Sequence, residues 1–489
     1  MAYKYIGKDI YKQLEQVIIK LDETLLLNKE LNEKITELNK IIVELKEENN
    51  KLQNEIDRLK NKNNKNSSNS SKPSSTDTIG NKSNRKTGAN LYNYRIKTNN
   101  KIGGQFGHKG HNFGKEKIEK LIKENKVEVR TIEHYINGSK NKDDIIKYKI
   151  GIEIKPYVEK HIFKYDENVT EVLSKEFQTD VTYDNSVKAL CIELGVHNVM
   201  PIKRLSVFLS TITNNVIKLS QGTIVNIQKE FSNKSKASLN IMEEDILNDK
   251  INYTDETGAK YNGSNMYIRN YSNKQTVIYK AHKNKGHKPI LEDNILTRFC
   301  GGIMGDHDTT LYSYGKENYE CNIHSGRYLE ELIQNTSVTW VKTMKDFLFR
   351  VNNTRKIAKQ YGLDNFDADK IEEYKNEYIH ILENAKEENK SINSSFYKEK
   401  AEQLRRRLLK YKDNHLYFIK DFNIPFDNNL SEQDLRVFKI KTKISGGFRS
   451  MESAQYYANS LSIVKTSIKR DINTLDSIMN VLNNKIAFE

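Results

Sequence analysis

From Leu14 to Leu59 the apolar residues of this chain return every seven positions, which leaves its first sixty residues few choices of structure. One column of the repeat reads Leu14, Leu21, Asn28, Ile35, Ile42, Asn49, Ile56. The column three residues on reads Val17, Thr24, Leu31, Leu38, Leu45, Leu52, Leu59. That spacing lays a narrow seam along one side of a helix, and a second helix of the same kind buries such a seam. Ile in the first column with Leu in the second favours two parallel strands. An Asn inside the seam sets register and dimer state at some cost in stability. The alternative is one amphipathic helix lying on the protein's own core. The pattern predicts a coiled coil over residues 1–60 that joins two copies through residues 14–59.

Residues 61–100 are rich in Asn, Ser and Lys and nearly devoid of large apolar groups, the composition of a disordered linker. The chain carries 80 Lys and Arg against 65 Asp and Glu, a net charge of +15. Much of the excess lies in residues 60–115, where ten Lys and two Arg meet one acid, Asp77. Such a stretch attracts phosphates without sequence preference, whereas net charge alone does not identify a nucleic-acid binder. The segment Gly103-Gly-Gln-Phe-Gly-His-Lys-Gly110 follows. Its glycines permit tight turns or close approach to a ligand. We read it as a basic loop beside DNA with Lys109 as a phosphate contact. A metal site at His108 and His111 lacks further ligands at finger spacing. Cys191, Cys300 and Cys321 form no disulfide framework, which suits a reducing compartment. No apolar run resembles a signal peptide or a membrane span, so a soluble, cytoplasmic protein is expected.

Residues 101–180 combine the glycine loop with short alternating runs such as 147–154, and predict a small β-containing module. Residues 181–245 are helical. Pro201 opens one helix, and Ser220 caps a second that carries Ile224, Ile227 and Phe231 at helical spacing. The pair is either a DNA-binding helix-turn-helix or an ordinary helical hairpin. Residues 246–324 begin an α/β layer. Ile251 to Thr254 is a short strand, Met266 to Asn270 and Thr276 to Ala281 are a hairpin, Leu291 to Leu296 lies in a short helix, and Gly301 to Met304 is a further strand. Residues 325–424 are helix-patterned throughout, with Trp340, Met344, Phe347 and Leu348 on one face. Residues 425–489 hold two more helices, one starting near Glu432 and one over Met451 to Lys469.

Three acids stand out against this background. Asp255 and Asp306 each follow a strand-like run, and Glu432 lies in the first turn of a helix after Pro425-Phe-Asp-Asn-Asn429. Phosphodiester cleavage needs an in-line oxygen nucleophile and charge stabilisation on the phosphate, and two divalent ions supply both. Magnesium or manganese takes hard oxygen ligands and needs few carboxylates. Each acid also has a structural reading. Glu432 has capping-box spacing from Asn429, Asp255 suits a turn before Gly258, and Asp308 competes with Asp306. The order strand-acid, hairpin, helix, strand-acid, insertion, helix-acid is that of a ribonuclease-H-like core with an all-helical insertion. Arg436, Lys439, Lys441, Lys443 and Arg449 follow Glu432 closely and are candidate phosphate contacts. Cys321 and His324 have a metal-like spacing, but two ligands make a poor zinc site, and packing is the preferred reading.

Tyr253-Thr-Asp-Glu-Thr-Gly258 resembles the first catalytic motif of the insertion-sequence 66 family of bacterial transposases. So do Gly301-Gly-Ile-Met-Gly-Asp-His-Asp-Thr-Thr-Leu-Tyr312 with Cys321-Asn-Ile-His324, and Pro425 through Arg436 with Lys441-Thr-Lys-Ile-Ser-Gly-Gly-Phe-Arg449. The glycine loop resembles the family's motif ahead of the core. The resemblance spans roughly residues 30–480. It implies that Asp255, Asp306 and Glu432 are the catalytic, metal-holding acids of an enzyme acting near the bacterial nucleoid. Such an enzyme cleaves the ends of a mobile element and joins the 3′-hydroxyls to target DNA. Its partners would be the element's terminal inverted repeats, target DNA and helper proteins of the same element. The family's cysteine-rich module has no counterpart here, since residues 115–180 lack cysteine, and no structural zinc is predicted. A non-catalytic dimeric DNA-binding regulator derived from a transposase is the alternative; all three motifs keep their acids.

Overall fold

The computed structural model describes residues 2–66, 69–70, 115–132, 147–150, 152–164 and 180–488. The glycine loop with Lys109, His108 and His111, and most of the predicted linker, lie outside the described residues. Helix α1 runs from Ala2 to Asn64 without interruption, four residues beyond the predicted end of the coiled coil. Beyond it, Asn69 is buried and donates to Gln334 Oε1 at 2.8 Å.

Of residues 115–179 only 115–132, 147–150 and 152–164 are described. Lys115–Lys123 forms a short helix, α2, and no strand occurs among the described residues there. Ile150, Ile152 and Ile154 are 59%, 90% and 51% exposed. Among the described residues their alternation has no neighbouring strand to bury one face, and a period of two does not form a sheet by itself.

Helices α3 (Asn185–Ile192), α4 (Ile202–Ile212), α5 (Gln221–Lys234) and α6 (Lys236–Leu247) follow, with a π-helical turn over Glu193–His197. The caps are those read from sequence: Pro201 precedes α4, and Ser220 Oγ accepts the Thr223 N–H at 3.0 Å. Ile224, Ile227 and Phe231 are buried, so the apolar face of α5 serves the core.

The sheet contains β1 (Ile251–Tyr261), β2 (Ser264–Ser272), β3 (Val277–His282), β4 (Gly302–Gly305) and β5 (Glu317–Glu320), in the order β3-β2-β1-β4-β5. The first three are antiparallel neighbours. Strand β1 is far longer than the expected 251–254, because Asn262 and Gly263 adopt φ of 45° and 79°. Positive φ at both central residues makes the tight hairpin turn that Asn-Gly favours. Pairing therefore continues to Tyr261 opposite Ser264, and Gly258 is a strand residue, not part of a turn. Helix α7 (His287–Asp293) starts earlier than expected and stops at Asn294, which is left-handed at φ 54°.

Strand β3 lies at an edge, where free N–H groups would invite pairing with another chain. Helix α14 (Met451–Lys469, as predicted) covers them with side chains. Gln455 Oε1 accepts from Ala281 N, Ser462 Oγ from Tyr279 N and Thr466 Oγ1 from Val277 N, at 3.0–3.1 Å. Three acceptors on one helix face meet every second strand residue. Helices α13 (Asn429–Ser445) and α15 (Thr474–Leu482) complete this part.

The predicted insertion is wholly helical: α8 (Asn322–Asn335), α9 (Trp340–Gln360), α10 (Ala368–Glu388), α11 (Ser395–Lys410) and α12 (Lys412–Lys420), with a 3-10 turn at Asn389–Ser391. Trp340, Met344, Phe347 and Leu348 are buried together, as their spacing predicted. Trp340 Nε1 donates to Asn389 Oδ1 at 2.9 Å, and Glu388 caps the start of α9 through Thr339 N and Trp340 N.

The chain divides into two compact units. One is drawn from Met1–Tyr92, Met304–Thr309 and Asn318–Asn428, and holds α1 and the insertion. The other is drawn from Asn93–Ile303, Thr310–Glu317 and Asn429–Glu489, and holds β1 to β3, α2 to α7 and α13 to α15.

Candidate active site

Asp255 is the fifth residue of β1 and stands opposite Asn270 of β2. It therefore sits within a strand, not past the end of one. Side chains alternate across a sheet, so Asp255 and Glu256 face opposite ways and meet different surroundings. Glu256 is neutralised: Arg269, 1% exposed, donates to its Oε2 at 2.6 Å, and Lys285 Nζ lies 3.5 Å from Oε1. Asp255 is half-buried, and its Oδ1 accepts the Glu256 N–H at 2.6 Å.

The amide of Asn270 organises this face. Fully buried, it accepts at one oxygen from Asp255 N at 3.0 Å and from Ser431 Oγ at 2.7 Å, and its Nδ2 donates to Ser272 Oγ at 2.8 Å. Thr254 Oγ1 adds a bond to the Asn270 carbonyl at 2.8 Å. Ser431 precedes Glu432 in the first turn of α13, so one side chain ties the strand carrying Asp255 to the helix turn carrying Glu432. Helix α13 packs on β1 and β2. Glu432 is half-buried in that first turn, where the helix N-terminus favours a carboxylate. Tyr279 OH donates to Asp434 O at 2.9 Å, and Lys469 pairs with the Asp434 carboxylate at 2.7 Å, fixing the next turn. Asn270, Ser431 and Asp434 went unread in the sequence. Apart from Ser272, two residues from Asn270, their partners lie 15 to 161 residues away, and no local pattern marks them.

Asp306 is the residue immediately after β4, as expected, and is half-buried; Asp308 nearby is similarly half-buried. Within its own unit it raises the Tyr328 hydroxyl pKa together with Glu320, adding to the larger effect of burial and opposed by Arg407, whose guanidinium lies 4.4 Å from the Tyr328 ring centroid. The next residue, His307, is left-handed at φ 65° and its Nδ1 lies 2.7 Å from Glu320 Oε1. Cys321 is buried, and its sulfur accepts the Asn428 N–H at 3.2 Å, anchoring the chain just ahead of α13. His324 Nε2 lies 3.0 Å from Arg327 Nη1.

The basic residues after Glu432 divide by helical phase. Arg436, Lys439 and Lys443 on α13 and Arg449 beyond it are exposed. Lys441 is not on that surface. It shares the inner face with Asp434, Leu435, Val437 and Phe438, is 7% exposed, and holds its ammonium 5.1 Å from the Tyr457 ring centroid. Burial pushes its pKa down to about 8. The three-residue step from Phe438 was the available signal. After α13, Phe448 exchanges backbone hydrogen bonds with the end of β1: its N–H donates to Lys260 O at 2.7 Å and its carbonyl accepts from Asn262 N at 2.9 Å. Gly447, at φ 138°, passes so close to Lys260 O that a β-carbon would collide with it.

No helix among the described residues is long and apolar enough to cross a membrane. No curated protein matches the chain. Residues 17–113 match a family of unknown function (DUF6444). Residues 180–456, more than half of the chain and the span that carries all three acids, match the model of the Transposase IS66 family. The chain belongs to that transposase family.

Proposed function

We propose that the protein is an active transposase that cleaves the ends of an insertion sequence and joins the freed 3′-hydroxyls to target DNA. Asp255, Asp306 and Glu432 would hold two magnesium or manganese ions. The observation that carries this reading is the Asn270 bridge, which places a strand carboxylate and a helix carboxylate under common restraint. The donors fit such ions, since hard carboxylate oxygens from a strand and a packed helix are what a divalent cation of this kind takes. Strand β4 lies beside β1 in the sheet order, and Asp306 is the first residue beyond it. That supports Asp306 as the third acid and a ribonuclease-H-like core.

When bound, the ions would activate the attacking oxygen and offset charge on the phosphate. The chain's own residues do the rest. Asn270 and Ser431 hold the carboxylates' backbones in place, and Arg269 keeps Glu256 out of the cluster. Arg436, Lys439, Lys443 and Arg449 offer cations to the DNA backbone, and Lys109 retains its reading as a contact from the glycine loop. The protein acts on terminal repeats and target DNA in the bacterial cytoplasm, as a homodimer through residues 14–59, with helper proteins of the same element as further partners.

The test is strand transfer with magnesium and terminal DNA. Asp255→Asn and Glu432→Gln should each lower it by more than about 10³-fold, the scale of losing a group that stabilises transition-state charge. Thermal stability and binding to end DNA should persist. Full transfer by either variant removes that acid from the site. Binding without cleavage by the unaltered protein would make it a regulator instead.

A further inference from the structure

Helix α1 has two different sides. From Lys12 to Asn61 every residue is exposed except Asn54 and Asp57, which are half-buried, and Asn61, which is buried. Asn61, 6% exposed, donates from Nδ2 to Glu331 Oε1 at 2.5 Å and lies 3.4 Å from Tyr397 OH. Ser394 Oγ donates to Asp57 Oδ2 at 2.6 Å, and Ser395 Oγ bonds Asn54 Oδ1. Helices α8 and α11 of the insertion supply these partners, within the same compact unit. Leu38, Leu45 and Leu52 of the seam, by contrast, are 57–58% exposed.

The heptad assigns the clamp its place. With Ile56 at a and Leu59 at d, Asn54 and Asn61 are f residues and Asp57 is a b residue, the positions that face away from a coiled-coil partner. The insertion thus grips α1 by its back and leaves every a and d residue to another helix. The occupant is a second copy of this chain, in parallel. Only parallel, in-register pairing sets Asn28 against Asn28 and Asn49 against Asn49, away from the Leu column. The same pairing brings Glu55 at g to the partner's Lys60 at e, and no like-charged g–e pair occurs between residues 13 and 60.

We infer that α1 joins two copies through its front while its back is clamped to its own insertion, so that the dimer carries its two insertions on opposite flanks of the coiled coil. This rests on the dimer reading above and adds the facing of the helix and the joint.

The experiment uses full-length protein with exposed Cys300 changed to Ser; Cys191 and Cys321 are buried. Asn49→Cys at a meets its counterpart within disulfide reach, whereas Glu47→Cys at f lies roughly a helix diameter, ~10 Å, further from its own. Oxidation should link the first into covalent dimers and leave the second unlinked. Sedimentation of the unaltered chain as a monomer would remove the dimer reading and this inference with it. A dimer in which Glu47→Cys links as readily, or Asn49→Cys does not link, overturns the facing alone. Strand transfer by the same preparations reports separately on the catalytic reading. For the clamp, Asn54→Ala with Asp57→Ala, and separately Asn61→Ala, should raise amide exchange over residues 52–64 roughly tenfold while the dimer persists. Unchanged exchange in both variants overturns the clamp.

Discussion

Both the sheet with α13 and the helical insertion have apolar cores, but the first adds a connected polar network and the second a run of aromatic pairs. Around β1, β2 and α13 the buried interior holds Asn252, Thr254, Asn270, Ser272 and Ser431, all fully buried and polar. The insertion is rich in aromatic pairs: Phe347 tilted against Tyr378 at 5.9 Å, and Phe366 against Phe422 at 4.8 Å and Phe418 against Phe426 at 5.0 Å edge to face. Apolar burial is strong but indifferent to direction, whereas a buried amide must meet its partners at hydrogen-bond geometry or cost stability. On the proposed function, the polar network would hold the strand and helix that carry Asp255 and Glu432 at set positions.

Truncating the aromatic core should produce the largest loss of stability. Trp340→Ala opens a cavity and removes the donor to the Asn389 amide oxygen, and should cost about 3–5 kcal/mol in urea denaturation. Its strand transfer should fall only as far as its folded fraction falls. A larger fall would mean that the insertion does more than hold shape.

Lys441 probes the sheet side through pH. Its pKa drops on folding from the usual 10.5 to about 8. Below 8 both states are protonated and the buried ammonium weakens the fold. Between about 8 and 10.5 the folded chain gives up its proton first, so stability rises with pH. Lys441→Met should be more stable at pH 7, by up to about 3 kcal/mol, and should lack that rise. Denaturation of both proteins at pH 7 and pH 9.5 gives the difference. Equal pH slopes would return Lys441 to the surface.

Asn270→Ala should have the smallest effect on stability and the most telling one on function. Loss of its bonds should cost about 1–3 kcal/mol. Strand transfer per folded molecule should nonetheless fall, because Asp255 and the first turn of α13 lose their common restraint. Transfer that tracks the folded fraction, as expected for Trp340→Ala, would erase the distinction between the regions.

Elements whose signals are local were legible. Helix α14 has the bounds its periodicity predicted, Ser220 caps α5, and the β2–β3 hairpin turns at Asn273, whose Oδ1 accepts from Gln275 N and Thr276 N. The length of β1 was also written locally, in Asn262-Gly263. The strand expected at 147–154 illustrates the opposite case, since alternation with no neighbouring strand among the described residues leaves Ile152 in solvent. Lys441 was grouped with its basic neighbours by closeness in sequence and separated from them by helical phase.

For this protein, the sequence by itself determined what depends on neighbours along the chain: the seam of α1, the caps and periods of the helices, and the order in which the three acids occur. Tertiary structure decided which groups share an environment. It separated Asp255 from Glu256 by the alternation of a strand, tied Asp255 to the turn of Glu432 through Asn270, sank Lys441 beneath Tyr457, and turned the back of α1 toward the insertion. The Asn270 bridge and the contacts at the back of α1 depend on hydrogen bonds between residues far apart in sequence, and no periodicity records them.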